Sequence, residues 1–326
     1  MKIFNNAATK DENGFLHLRF RGRMLAPFIA PEAIESLAQT WDTDENDIFI
    51  CSHQKVGTHL TKKFVVELLR TFGLPESHPC ASGDIGVAAV PWPEVMVSQK
   101  GRDVFEDFRN RTAGQPRVWY IHCPVEDIPF RSIHPGTRFI HVYRDPRGAA
   151  VSQYFFYKKH PLLQVNPDLD MNSFARMFAG GDLYFGDYHQ HATGWAQAAD
   201  PRISPEQLLV MRFEDLVQDK LESVKILAQF LAPFESLSHE QATSIALSTE
   251  FDTMKASIQK NPGSFHLNPN TFFRSGKTDD WKELLPSAAI DLIDRKTRMA
   301  WGPSGEPEIA IGASGSHSFN AVEKAA

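Results

Sequence analysis

The chain has 326 residues, enough for one large α/β domain or two small ones, and its 42% hydrophobic and 23% charged content is ordinary for a globular protein. A formal net charge of -6 excludes a general nucleic-acid binder but leaves room for one local basic pocket. No apolar run approaches the ~18–20 residues of a membrane span. Met1–Asn6 lacks the apolar core of a secretory signal, and Cys51, Cys80 and Cys123 form neither a disulfide framework nor a zinc-like spacing. These features predict a reducing, cytoplasmic setting with no membrane or nucleic-acid partner.

In chain order, Phe15–Phe20 alternates weakly and predicts a short edge strand. Pro31 opens a helix that runs through Leu37. The acidic run Asp42–Asp47 reads as a solvated entry to the strand Ile48–Ser52. A short polar turn with Lys55, Gly57 and Thr58 follows. Leu60, Phe64, Val65, Leu68 and Leu69 then fall at helical spacing, so a helix is expected from about Thr58 to Phe72. Residues 73–115 are broken by Pro and Gly and read as loop; residues 75–115 and the loop near 256–272 are the expected acceptor wall. Arg117–His122 and Thr137–Tyr143 are strand candidates. Asp145-Pro146 marks a helix start, with Asp as N-cap and Pro at the first helical position. Further helices are expected over Asp168–Ala179, Asp187–Ala199, Lys220–Phe230, Ser238–Leu247 and Trp281–Met299, with a strand at Leu208–Phe213. Residues 256–276 read as a long surface loop. Strands alternating with helices predict a single α/β domain over 1–302, with a mainly parallel central sheet flanked by helices and a P-loop-like strand–turn–helix. Residues 303–326 read as a disordered tail.

Three constellations carry chemistry. The strand–turn–helix at Ile48–Leu60 is an anion cradle: the first N–H groups of the helix are unpaired, its dipole favours negative charge, and Lys55 adds a cation. It is not a Walker sequence. Arg144 sits at the carboxyl end of a strand, where open α/β sheets bind ligands, and Ser152 lies two turns into the next helix; guanidinium and hydroxyl can reach one phosphate. Arg274-Ser275-Gly276 offers a third clamp, through the Arg274 guanidinium and the Gly276 N–H. His189-x-His191 points its two rings to different helix faces, which argues against a metal pair.

Read together, these segments resemble the cytosolic sulfotransferase family, which moves a sulfuryl group from 3′-phosphoadenosine 5′-phosphosulfate (PAPS) to a hydroxyl or amine. Gln54-Lys55-Val56-Gly57-Thr58-His59 is similar to that family's Pro-Lys-Ser-Gly-Thr-Thr phosphosulfate loop. Arg144 and Ser152 match its 3′-phosphate pair in type and spacing, and Arg274-Ser275-Gly276 with Asp280-Trp281-Lys282 resembles its C-terminal Arg-Lys-Gly…Gly-Asp-Trp-Lys motif. Phe213-Glu214-Asp215 is similar to Tyr-Glu-Asp, and Phe251-x-x-Met254-Lys255 to Phe-x-x-Met-Lys. The matches keep family order from about residue 30 to residue 285.

The resemblance implies PAPS as co-substrate, no required metal, and a small-molecule acceptor. It implies His122 as general base and Lys55 as the group stabilising the leaving phosphate. Donor contacts would come from Lys55, Val56, Gly57, Thr58, His59, Arg144, Ser152, Phe213, Phe251, Arg274, Ser275 and Gly276. Several positions depart from the pattern. Tyr120 stands where the family often has Lys, two residues before the histidine. Leu60 replaces the Trp that often stacks on adenine, leaving Phe251 as a candidate platform. His59 replaces the second Thr of the loop, Phe213 replaces a Tyr, and the usual dimerisation pattern has no counterpart after Trp281, so the oligomeric state stays open. Trp92, Trp119 and Phe130 point to a small aromatic or lipophilic acceptor, or to plain core. An ATP-dependent small-molecule kinase and a non-catalytic nucleotide-binding protein are the alternatives.

Overall fold

The computed structural model describes residues 8–163, 165–232, 235–260 and 269–315. Three short strands, β1 (Thr9–Lys10), β2 (Leu16–Phe20) and β3 (Arg23–Leu25), form a separate antiparallel sheet. The Phe15–Phe20 segment is therefore not an edge of the main sheet. Next come α1 (Pro31–Thr40), β4 (Asp47–Ser52), α2 (Thr58–Thr71), α3 (Pro93–Lys100), α4 (Arg102–Arg111), β5 (Arg117–Ile121), β6 (Arg138–Tyr143) and α5 (Pro146–Lys159). They are followed by α6 (Met171–Gly180), α7 (Tyr188–Ala196), β7 (Leu208–Arg212), α8 (Phe213–Gln218), α9 (Lys220–Leu231) and α10 (His239–Ser248). The described chain closes with α11 (Phe251–Lys260), α12 (Pro269–Phe272), α13 (Trp281–Leu284), α14 (Ser287–Trp301) and β8 (Ser314–Gly315).

The main sheet is wholly parallel, in the order β5-β4-β6-β7-β8. β4 is buried along its whole length, as is β5, because helices cover both faces of the sheet. Ile50 pairs with Tyr120 on one side and Ile140 on the other, so the chain first steps outward from β4 to β5 and then reverses to β6. That reversal is a topological switch point, and the crevice beyond the carboxyl ends of β4 and β6 is where such sheets bind ligands. Asp145 caps α5 as expected, its carboxylate accepting from the Arg147 N–H.

Several expectations need correction. Residues 93–111 hold two helices, α3 and α4; Pro93 starts a helix instead of breaking one, and Gly101 separates the pair. Of the expected loop 256–276, residues 256–260 continue α11 and 269–272 form α12, while 261–268 lie outside the described residues. The helix expected over Trp281–Met299 is interrupted at Leu285-Pro286. Asp47 is fully buried, not solvated: Arg117 Nε donates to it at 2.7 Å and Trp119 Nε1 at 2.8 Å. Within the segment expected to be tail, β8 pairs with β7, and Glu306 lies 3.3 Å from Arg212; residues 316–326 lie outside the described residues. No helix among the described residues is long and apolar enough to cross a membrane.

Candidate active site

A cavity of about 1030 Å³ opens at the switch point. Its walls bring together Lys55, Gly57, Thr58, His59, His122, Arg144, Ser152, Phe213, Phe251, Arg274, Ser275 and Gly276, which the sequence spreads over some 220 positions. Val56 alone of the expected donor residues is turned away, fully buried in the core; only its backbone remains for a ligand.

The β4–α2 turn is shaped by two left-handed residues, Lys55 (φ 65°) and Gly57 (φ 120°). Gly57 also lies beneath Phe213: a Cβ there would come within 2.7 Å of the ring. No side chain caps α2, so its first N–H groups are left for an anion. The Thr58 hydroxyl is engaged with Ser52 Oγ at 2.8 Å, which pins the helix start to the strand. Lys55 Nζ donates to the Phe272 carbonyl at 3.0 Å and lies 4.7 Å from the centre of the Phe156 ring. Burial, with Arg144 and Arg274 nearby, pulls its pKa down to about 7.

Two guanidinium groups face the same space. Arg144 is 5% exposed, stands over the Phe213 ring and donates through NH2 to the Lys277 carbonyl. Its Nε has no hydrogen-bond partner, with Glu214 3.8 Å away. Gly148 makes room for it, since a Cβ there would lie 2.9 Å from Nε. Arg274 is held by Asp280 at 2.6 Å, and its Nε too lacks a partner. Buried donors without acceptors are costly in a closed protein, so these two fit an anionic group with several oxygens. Ser152 makes no side-chain hydrogen bond among the described residues and lines the same wall. Ser275 Oγ instead donates to Asp280 at 2.5 Å, bracing the Arg274 loop. The Phe251 ring presses on Gly276, where a Cβ would meet it at 2.5 Å, and its centre lies 5.7 Å from that of Phe273.

His122 follows β5. Its Nδ1 lies 2.6 Å from the Ser52 carbonyl, an acceptor, so Nδ1 carries the hydrogen and Nε2 keeps its lone pair. Trp92, Tyr120 and Phe185 pack around the ring at 4.7, 5.5 and 5.6 Å between centres. Burial lowers its pKa to about 3, against a smaller upward pull from the Ser52 carbonyl. The ring is therefore neutral at neutral pH. His59 lies 4.9 Å from the Phe272 ring, and burial holds it well below the usual histidine range.

The cavity wall also carries apolar side chains, among them Phe28, Val87, Trp92, Val95 and Leu162, and Trp92 packs on His122. Trp92 thus lines the cavity. Trp119 and Phe130 do not: both pack in the core around Trp41 and Phe49. The sequence reading missed Lys62, a buried lysine on α2 that also lines the cavity. Its register with Val65, Val66 and Leu69 was the available signal. His189 and His191 are buried apart, bonded to Thr297 and to the His122 carbonyl respectively.

The sulfotransferase domain family model matches residues 45–304. Sulfotransferase 6B1 of Danio rerio is 31% identical over 55% of this chain and 57% of its own length. Sulfotransferase 2B1 of Mus musculus is 27% identical over 85% of this chain and 80% of its own. In fold, the chain is similar to mouse sulfotransferase SULT7A1 solved with PAP, at a TM-score of 0.70 and 20% identity over 95% of this chain and 99% of that one. It is also similar to retinol dehydratase solved with retinol and PAP, at a TM-score of 0.66 and 18% identity over 90% and 91%.

Proposed function

The chain belongs to the sulfotransferase domain family and is a PAPS-dependent sulfotransferase; we propose that His122 is its general base, that Lys55 stabilises the leaving phosphate, and that its acceptor is a small lipophilic hydroxyl or amine compound. The observation that carries this reading is the junction at His122. The neutral ring, its Nδ1 engaged by the Ser52 carbonyl and its Nε2 unengaged among the described residues, lines one cavity together with the cationic groups and with apolar side chains.

PAPS supplies an activated sulfuryl group. His122 Nε2 takes the acceptor proton as the acceptor O–S (or N–S) bond forms and the S–O bond to the 5′-phosphate breaks. The electron pair stays on the phosphate oxygen, where Lys55 and the uncapped N–H groups of α2 face it. Arg144, Ser152 and Arg274 hold the 3′-phosphate, and the orphaned Nε atoms of the two arginines support this. Phe213 and Phe251 provide ring faces for adenine, in place of the Trp that Leu60 replaces. The apolar wall around Trp92 favours a lipophilic acceptor body.

His122→Ala tests the base. Turnover of PAPS with a phenol acceptor should fall by on the order of 100- to 10,000-fold, with the affinity for 3′,5′-ADP unchanged. Near-normal turnover would remove His122 from that role. Titration with ATP against 3′,5′-ADP tests the donor contacts: comparable affinities would sink the assignment of Arg144, Ser152 and Arg274 to the 3′-phosphate.

A further inference from the structure

Lys62 sits one turn after Thr58 on α2, is 1% exposed and lines the cavity with Lys55, His59 and His122. A lysine on that buried face is costly unless something meets its charge. Among the described residues it forms no ion pair. Its Nζ reaches only the Ile85 carbonyl, at 3.5 Å, and the face of Tyr120, 3.3 Å from the ring centre. Its neighbour Lys63 is different, being neutralised by Glu67 on the same helix. The Tyr120 ring that carries the Lys62 ammonium also packs against His122. Amine and imidazole are thus braced on one ring that lines the same cavity.

We propose that Lys62 is a catalytic residue whose ammonium contacts the sulfonate oxygens while the sulfuryl group passes from the 5′-phosphate to the acceptor. This rests on the reading of the site given above. In that step the acceptor–sulfur bond forms, the sulfur–oxygen bond to the phosphate breaks, the electron pair goes to the phosphate oxygen, and the proton goes to His122 Nε2. Lys55 serves the leaving end and Lys62 the centre. Strand β5 offers no cation two residues before His122, where Tyr120 stands, so the charge comes from α2 instead. Burial also holds the Lys62 amine well below the ordinary lysine range, with Asp84 opposing through space.

The test uses the full chain, radiolabelled PAPS, and whichever of 2-naphthol, 1-octanol and tyramine the wild type sulfates fastest. Lys62→Met should lower kcat by about 100-fold or more and leave the Kd for 3′,5′-ADP, which lacks the sulfuryl group, within about threefold. Lys62→Met/Tyr120→Lys, which returns an amine to the same wall from β5, should recover at least about tenfold of the lost kcat. It also keeps the test open should Lys62→Met fail to fold. A kcat within about threefold of wild type, an equal loss of 3′,5′-ADP affinity, or no recovery in the double variant would each overturn the proposal. If the wild type sulfates none of the three acceptors and fails to bind 3′,5′-ADP, the reading of the whole site falls, and this inference with it.

Discussion

Buried cations occur at both ends of the parallel strands, and their partners differ. At the amino ends, Arg117 on β5 is 2.7 Å from Asp47 on β4 and 3.4 Å from Asp44. Trp119 adds a hydrogen bond to the same Asp47 carboxylate. At the carboxyl ends, Lys55 meets a carbonyl and aromatic rings and no carboxylate among the described residues; Arg144 has Glu214 at 3.8 Å and Arg274 has Asp280 at 2.6 Å, but the Nε of each lacks a hydrogen-bond partner. The first set is neutralised within the chain and holds two strands in register. The second is met only in part by the chain, with Lys55 and the two Nε atoms left for a ligand. The same residue types do opposite work because the cost of burying a charge can be offset by a carboxylate of the fold or by an anion from outside.

Breaking the amino-end pair should give the largest effect on stability. Asp47→Ala leaves Arg117 buried without its main partner and should cost about 3–5 kcal/mol, read as a lower urea midpoint, with 3′,5′-ADP affinity per folded molecule unchanged. The carboxyl end should answer the other way. Arg144→Ala removes a charge-assisted contact, so 3′,5′-ADP affinity should fall by about 10- to 100-fold, or roughly 1.5–3 kcal/mol, while the urea midpoint holds or rises. If instead Arg144→Ala destabilises the fold as much as Asp47→Ala, the contrast between the two ends is wrong.

A subtler change sharpens it. Gly148→Ala places a methyl group 2.9 Å from Arg144 Nε and must displace the guanidinium. A loss of several-fold in 3′,5′-ADP affinity, with Ser152→Ala giving a comparable change, is the expected outcome by equilibrium titration. The smallest signal is a proton. Lys55 has a pKa of about 7 in the free protein, and an anion beside it favours the charged form. Binding of 3′,5′-ADP should therefore take up protons above pH 7 and lose that uptake below it, where Lys55 is already charged. Lys55 then contributes up to about 0.9 proton at pH 8, measured by calorimetry in buffers of different ionisation heat. Lys55→Met should remove that share.

Much of the donor side was legible in the sequence because its signals are local. An apolar run followed by Lys55, Gly57 and Thr58 and a helical period describes a β–turn–α unit within a few residues, and Asp145-Pro146 announces α5 in the same way. Each clamp needs only its own turn to be recognised, and family order then joins the clamps. The acceptor side has no such local signature. Trp92, Trp119 and Phe130 look alike as residues, yet Trp92 faces the cavity and the other two face Trp41 and Phe49. Residues 93–111 read as loop because prolines as dense as Pro91 and Pro93 suggest breaks, yet Pro93 starts a helix and Gly101 separates it from the next.

By itself the sequence determined the parallel α/β plan, the strand–turn–helix after β4 and the helix that Asp145-Pro146 starts, which follow from short-range periodicity and capping. That the turn, Arg144 with Ser152, and His122 belong to one site is what the family resemblance implied. Only the tertiary structure decided which charges are satisfied. Asp47 reads as the end of a solvated acidic run until β5 brings Arg117 and Trp119 to it, and Lys62, although its register puts it on the apolar face of α2, has no partner in view until Tyr120 is laid beneath it. Whether a charged side chain serves folding or chemistry depends on which distant groups share its buried space, and no local pattern encodes that.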